Sequence, residues 1–390
     1  MGTDTPRRRF EDIDWEADRG VVVSRQTGGF LMTLAALGLV FAYDYLREEP
    51  LFAPNPLFRN GWDLTQLDWL FMLSLSLFVF YFVVPLATHR RMTAHYWREF
   101  RKNRAAVVSL VYLAVIFTLG LVGPLLVAKP TVELVQSYQP PVGLTVDSAV
   151  PLSCVGETVA GRCTGSWQFP LGTTGNGKDI LALVVLGMRV SMRIGLITSF
   201  LIISIGATVG TVAAYVGGLV DEVLMRYVDI QQVFPSFLLY LLLIFLFGGS
   251  LLMFILVFGL FSWGGTARLI RSASLQRSED EYVDVARAAG ADTSHVIRRH
   301  ILPNVSGTVI TNLTLLIPGL ILFEAGLAFL SLGDPTIPSW GQTIAAGRSD
   351  LRTAWWISTI PGVFLFLTIL AFNFVGDAFR DALDPRSERD

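Results

Sequence analysis

The run Gly172-Thr173-Thr174-Gly175-Asn176-Gly177-Lys178-Asp179 comes within one residue of a phosphate-cradling loop. Such a loop, G-x-x-x-x-G-K-[ST], holds phosphates on backbone amides and a lysine, and Mg²⁺ on the final hydroxyl. Here the hydroxyl position is Asp179, and no buried strand leads into the glycines. The run reads instead as a Gly-rich loop feeding a helix. Glu324 stands alone in the apolar stretch Leu320-Ile321-Leu322-Phe323-Glu324-Ala325-Gly326. An ionisable group at the bilayer centre costs roughly 2.5–3.5 kcal/mol on insertion scales, so it must face the bundle interior or a water-filled path. Two roles fit it, a gate or translocation-path residue, or a structural Glu bonded to a neighbouring helix. Arg226 and Asp229, three apart, can pair on a solvated face, a contact worth under about 1 kcal/mol. His295 and His300 are five apart, poor spacing for two ligands on one helical face, and no Ser-His-Asp set or paired carboxylates share one plausible cavity. The expectation is a chain that is not an enzyme and that holds no metal and no cofactor of its own.

The elements carrying these groups are set by composition. Of 390 residues, 52% are hydrophobic and only 16% charged, against roughly 25% charged in a soluble domain. Mean hydropathy is +0.54. A net charge of −2 and the absence of a basic patch interleaved with aromatics argue against nucleic acid as a partner. A spanning helix needs about 20 mostly apolar residues. Eight runs qualify, near 28–46, 67–87, 105–127, 190–217, 232–248, 251–268, 307–332 and 354–377. The expected fold is therefore all-α, a polytopic helix bundle in the lipid bilayer with about eight spans. The fifth and sixth runs are separated only by Gly248-Gly249-Ser250, which reads as a tight turn.

Basic residues orient the bundle. Segments 1–27, 88–104, 218–231, 269–306 and the tail from 378 hold 20 of the 30 Lys and Arg, against 8 in the segments 47–66, 129–189 and 333–353. The first set is expected on the cytoplasmic side of the cell membrane, with both termini. Residues 1–27 mix Arg with Asp and Glu and lack an apolar core, unlike a cleaved signal peptide. Cys154 and Cys163 both fall in the long outer loop 129–189. An oxidising compartment favours a bridge between them, two free thiols being the alternative.

The cytoplasmic island 269–306 is polar and studded with Arg. From Ser278 to Ala289 it has no Gly or Pro, and Glu279, Asp280 and Glu281 crowd the start, where they complement the helix dipole. Gly290 is a C-cap candidate. Asp292 offers an N-cap for a second helix through Val296 and Ile301, which Pro303 closes by disfavouring helix at Leu302. Helix, glycine turn, helix is the expected element, and small Ala286, Ala289 and Gly290 would let a partner approach closely. An amphipathic connector resting on lipid headgroups fits the same residue types.

Glu281-Tyr282, Asp284, Ala286-Arg287-Ala288, Gly290-Ala291 and Arg299-His300-Ile301-Leu302-Pro303-Asn304 resemble the coupling loop of ABC importer permeases, in the dipeptide/oligopeptide/nickel branch. Asp284 stands where the family has Glu, and Val285 where it has Ala. Trp97-Arg98 through Asn103-Arg104-Ala105, Phe169-Pro170-Leu171-Gly172-Thr173, Gly217 to Asp221, Phe234-Pro235, Pro338-Ser339-Trp340-Gly341, Gly376-Asp377 and Arg380 to Arg386 are similar to other family segments. The resemblance covers roughly 97–390. It implies a permease subunit that pairs with a second, similar permease and receives di- or oligopeptides, or a related small solute, from an external solute-binding protein. It also implies two cytoplasmic ATPase subunits that carry the ATP and Mg. Glu281, Asp284, Ala288, Gly290, Leu302 and Pro303 are then the docking residues.

By this reading, 1–104 is an N-terminal extension with two spans and a basic connector, 105–189 the first core span and outer loop, and 190–390 the transport core. The principal alternative is a secondary transporter driven by an ion gradient, for which Glu324 alone is thin support. A membrane-embedded enzyme is the weaker rival.

Overall fold

The computed structural model describes residues 25–46, 64–127 and 130–383. The N-terminal segment before residue 25, most of the 47–66 segment and the Asp384-Pro385-Arg386 end of the resembled C-terminal motif lie outside the described residues.

In lipid every backbone N–H and C=O must be paired within its own segment, which makes apolar runs helical. Helix α1 covers Arg25–Tyr45 and α2 Gln66–Thr88. The short α3, Arg90–Phe100, then leads into α4, Arg104–Leu126. Helix α5 runs unbroken over Ile180–Val216. Helices α6 and α7 cover Gly218–Val233 and Ser236–Phe247, and α8 and α9 Leu251–Phe261 and Gly264–Ser278. Beyond them lie α10 at Glu281–Ala288, α11 at Thr293–Val296 and α12 at Ile297–Phe329. Helices α13, Trp340–Ala346, and α14, Trp356–Leu383, complete the order. Among the described residues seven helical runs are long and apolar enough to cross a membrane, and up to eight if a bent pair counts as one span.

That bent pair corrects the expected boundaries. Residues 218–231, read as a polar connector, form α6, and the run 232–248 is essentially α7, bent 62° from α6, the two being long and apolar enough for a span only together. Pro235 has no N–H, and the residue before it is pushed out of the helical region; Phe234 is extended, with φ −73° and ψ 119°. Several helices also outrun their apolar cores: α5 begins at 180 rather than 190, and α9 continues to 278. Hydropathy finds the lipid-facing part of a helix and misses its polar continuation.

The central core gathers Leu67 and Phe71 of α2, Ile194 and Ile197 of α5, Tyr240 of α7, Phe254 and Phe258 of α8 and Leu320 of α12. Helices α5 and α9 approach closely because a Cβ at Gly210 would collide with the Ala267 carbonyl. At one end of α5, residues 130–179 form a cap. Its three-stranded antiparallel sheet has β1 (Thr145–Asp147) and β2 (Thr158–Val159) flanking β3 (Arg162–Thr164). Cys154 and Cys163 are disulfide-bonded there, with Cα atoms 5.7 Å apart. The Trp356 indole donates to the Thr173 carbonyl (3.2 Å), tying α14 to the cap, and the Trp340 indole donates to the Val184 carbonyl (3.0 Å), tying α13 to the cap-side end of α5.

Candidate functional site

At the far end of α5, roughly 50 Å from the cap at 1.5 Å per residue, the chain makes an elbow between α9 and α12. Asp280 precedes α10 in an extended conformation, and Glu281 and Asp284 occupy the first turn of that helix, where negative charge meets the positive end of the dipole. Gly290 takes φ +85°. Its amide donates to Arg287 O (2.9 Å) and the Ala291 amide to Ala286 O (3.0 Å), the paired bonds of a Schellman stop. One fully buried side chain on α10, Val283, holds the elbow down, packed with Ile270, Val296, Ile301 and Val305. Arg287 lies 4.7 Å over the Tyr215 ring and donates to its hydroxyl at 3.1 Å. Asn304 donates to the Tyr282 hydroxyl at 3.2 Å. Partial burial lifts the Tyr282 phenol above its ordinary pKa, and the Asp280 charge adds to this.

The outward surface of α10 carries Glu281, Asp284, Val285, Ala288 and Ala289, with Gly290 beside them. Ala286, expected to face a partner, is half-buried and turned onto the Val283 cluster. The expectation that Pro303 closes the second helix is also corrected. Leu302 is helical, at φ −56° and ψ −42°, and its amide bonds Ile297 O in a π-turn over Ile297–Ile301. The helix thus runs from Thr293 to Phe329, because the widened turn directly before Pro303 makes room for a ring that an α-helix interior would reject. Leu302 and Pro303 are exposed near the start of this long helix.

Glu324 is buried near the opposite end of α12, 7% exposed. The structure therefore separates it from the elbow residues by roughly 33 Å of helix, counted from Leu302. The Gly-rich loop performs a capping role: the Leu181 amide donates to Asp179 Oδ1 at 3.0 Å, starting α5. Asp229 accepts from Arg268 rather than Arg226, and Asp221 from Arg271, so two ion pairs tie α6 to α9. Sequence inspection missed both, the only signal being a row of charges in a segment taken for a connector.

Two helix breaks lie side by side in the bundle. Helices α7 and α8, 12 and 11 residues long, share the Gly248–Ser250 turn and end at Phe234–Pro235 and Ser262–Trp263. Both breaks sit roughly 17 Å along from that turn. Tyr227 stacks on Trp263 at 5.8 Å, and Gln231 is buried there with neither amide atom bonded.

Residues 206–389 match the family described as binding-protein-dependent transport system inner membrane component, and residues 92–141 the N-terminal membrane domain of oligopeptide transport permease C. The oligopeptide transport system permease protein OppC of Haemophilus influenzae is 34% identical over 290 residues, 74% of this chain and 87% of that protein. The chain belongs to the ABC importer permease family. The Escherichia coli K12 permease of the same name is 33% identical over 74% of this chain and 89% of its own length. The dipeptide transport system permease protein DppC of Bacillus subtilis is 32% identical over 75% and 85%. The solved inward-facing MetNI methionine ABC transporter aligns over 53% of this chain at 18% identity, with a TM-score of 0.44. As a permease of this family, the chain is a membrane transport component, and the ion-gradient alternative falls. The elbow lies wholly within the matched segment 206–389, while α1 and α2 precede both matched segments.

Proposed function

We propose that this permease forms half of the pore of an ATP-driven importer for di- or oligopeptides, and that the elbow is where a cytoplasmic ATPase docks. The second half is another permease of similar kind. Each permease takes one ATPase subunit, on which ATP and Mg reside, and an external binding protein delivers the solute. The termini and elbow then face the cytoplasm and the cap faces outward, in keeping with the basic-residue bias. The single observation that carries this reading is the elbow itself. A short helix presents Glu281, Asp284, Ala288 and an αL glycine outward, and passes with one turn into a helix unbroken to Phe329.

Motion has a direct path in this arrangement. A push on α10 moves α11 and α12 together, because Val283 is packed against Val296, Ile301 and Val305. The paired breaks at Phe234–Pro235 and Ser262–Trp263 supply hinge points, and closure of the ATPases biases a two-state bundle. Glu324, at the far end of the lever, is placed on the translocation path in this reading. Normal uptake and normal ATPase coupling in Glu324→Gln would remove it from the mechanism.

The test is reconstitution. The chain with its partner permease and ATPases in proteoliposomes should take up labelled peptide only when ATP and the loaded binding protein are both present. Ala289→Cys should react with an impermeant thiol reagent only from the ATPase side. Labelling from the cap side would sink the docking assignment.

A further inference from the structure

Asp68, in the first turn of α2, is one of the few buried charges among the described residues, and no transport role so far described uses it. Its Oδ2 accepts from the Thr65 amide (3.1 Å) and the Thr65 hydroxyl (2.7 Å). Its Oδ1 accepts from Arg189 at 2.7 Å and also from Arg193. The side chains of Asp68, Arg189 and Arg193 are 5%, 16% and 11% exposed. The arginines are four apart, so they lie on one face of α5 and straddle the carboxylate. Leu67 and Phe71 flank it and pack into the same cluster as Val190, Met192, Ile194 and Ile197.

The place on α5 is telling. Directly after Arg193 the helix loosens into a π-turn, Ile194–Thr198, with all five residues buried. Such turns are local weak points and recur at functional sites. A Cβ on Gly195 in this turn would stand 3.0 Å from Ile317 of α12, the helix continuous with the elbow. Helix α2 thus grips α5 immediately before its compliant segment, and that segment rests on the lever.

We infer that Asp68 is a positioning residue, and that through Arg189 and Arg193 helix α2 holds the cap-side part of α5 still while α12 moves against the π-turn. A buried carboxylate shared by two guanidiniums is directional as well as strong, and removing one partner strands the others. Apolar contact alone would let α2 slide or rotate along α5. The inference rests on the importer reading for its functional consequence and on geometry alone for the clamp.

The experiment uses the full chain in its assembled transporter. Asp68→Asn should lower peptide uptake per ATP hydrolysed by about tenfold at equal chain content, because it leaves the two guanidiniums without their shared carboxylate. Asp68→Glu, which keeps the charge, should restore most of the coupling. A purely structural role would instead lower the amount of assembled chain and leave uptake per ATP unchanged, and that result overturns the inference. If Asp68→Asn fails to assemble, Asp68→Asn/Arg193→Gln removes one charge of each sign and restores the net charge of the cluster; recovery of assembly with low coupling supports the inference, and recovery of both overturns it. Independently, Leu67→Cys should be shielded from a thiol reagent in the otherwise unaltered chain and become reactive when Asp68→Asn is added. If the unaltered transporter shows no ATP-driven uptake, the importer reading fails. The labelling then decides the clamp alone, and equal reactivity in both backgrounds overturns it.

Discussion

The cap and the elbow close opposite ends of α5, and they are held in opposite ways. The cap end is held by a disulfide, a small sheet, the buried Trp356 indole bonded to the Thr173 carbonyl and, on the adjoining end of α5, the buried Trp340 indole bonded to the Val184 carbonyl. The elbow rests on Val283, the Arg287–Tyr215 contact and a glycine stop, while Val285 on its outer face is 68% exposed. In the proposed mechanism one end stays put and the other is pushed. In energetic terms, changes in the cap should register as stability and changes in the elbow as coupling.

Four substitutions test that division. The largest effect is expected from Trp340→Ala, which removes a fully packed indole and its bond to Val184. It should destabilise the chain by about 3–5 kcal/mol, seen as a lower thermal midpoint, with uptake per ATP retained by the folded fraction. Replacing Cys154 and Cys163 together by Ser opens a loop with a sequence separation of 9; chain-entropy reasoning puts the loss near ~2.5 kcal/mol, again without uncoupling. Gly290→Val reverses the pattern. A Cβ there meets nothing within 4 Å, so the penalty comes from φ +85°, about 1–2 kcal/mol for a side chain in the left-handed region. Abundance and melting should change little, while uptake should fall by about tenfold through a misdirected α10. The smallest effect belongs to Arg287→Ala, under about 1 kcal/mol for an exposed cation–π contact, visible as a modest drop in coupling. A cap variant that uncouples, or an elbow variant that only destabilises, would break the division.

How much of this was legible beforehand depended on how local each signal was. Gly290 and the acidic start of α10 were readable because caps are written within one turn of sequence. The continuity of α12 through Pro303 was not, since it depends on a register change five residues earlier that leaves no compositional mark. The bent pair was half visible: Pro235 announced a break, but the charges of 218–233 hid the helix before it. Ala286 was read as outward-facing because its size is visible in sequence and its direction is not. The family branch was legible from the 281–304 loop before any comparison. The Asp68 cluster was invisible because its partners lie 121 and 125 residues away. One carboxylate in an apolar run says only that something must neutralise it.

That separation has a consequence for biogenesis. At roughly 5–20 residues per second, a ribosome needs about 6–24 s to synthesise the chain between Asp68 and Arg189. Throughout that interval the newly inserted hairpin carries a carboxylate whose counterions do not yet exist. Its place in the first turn of α2 leaves its second oxygen bonded to the Thr65 amide and hydroxyl until α5 arrives.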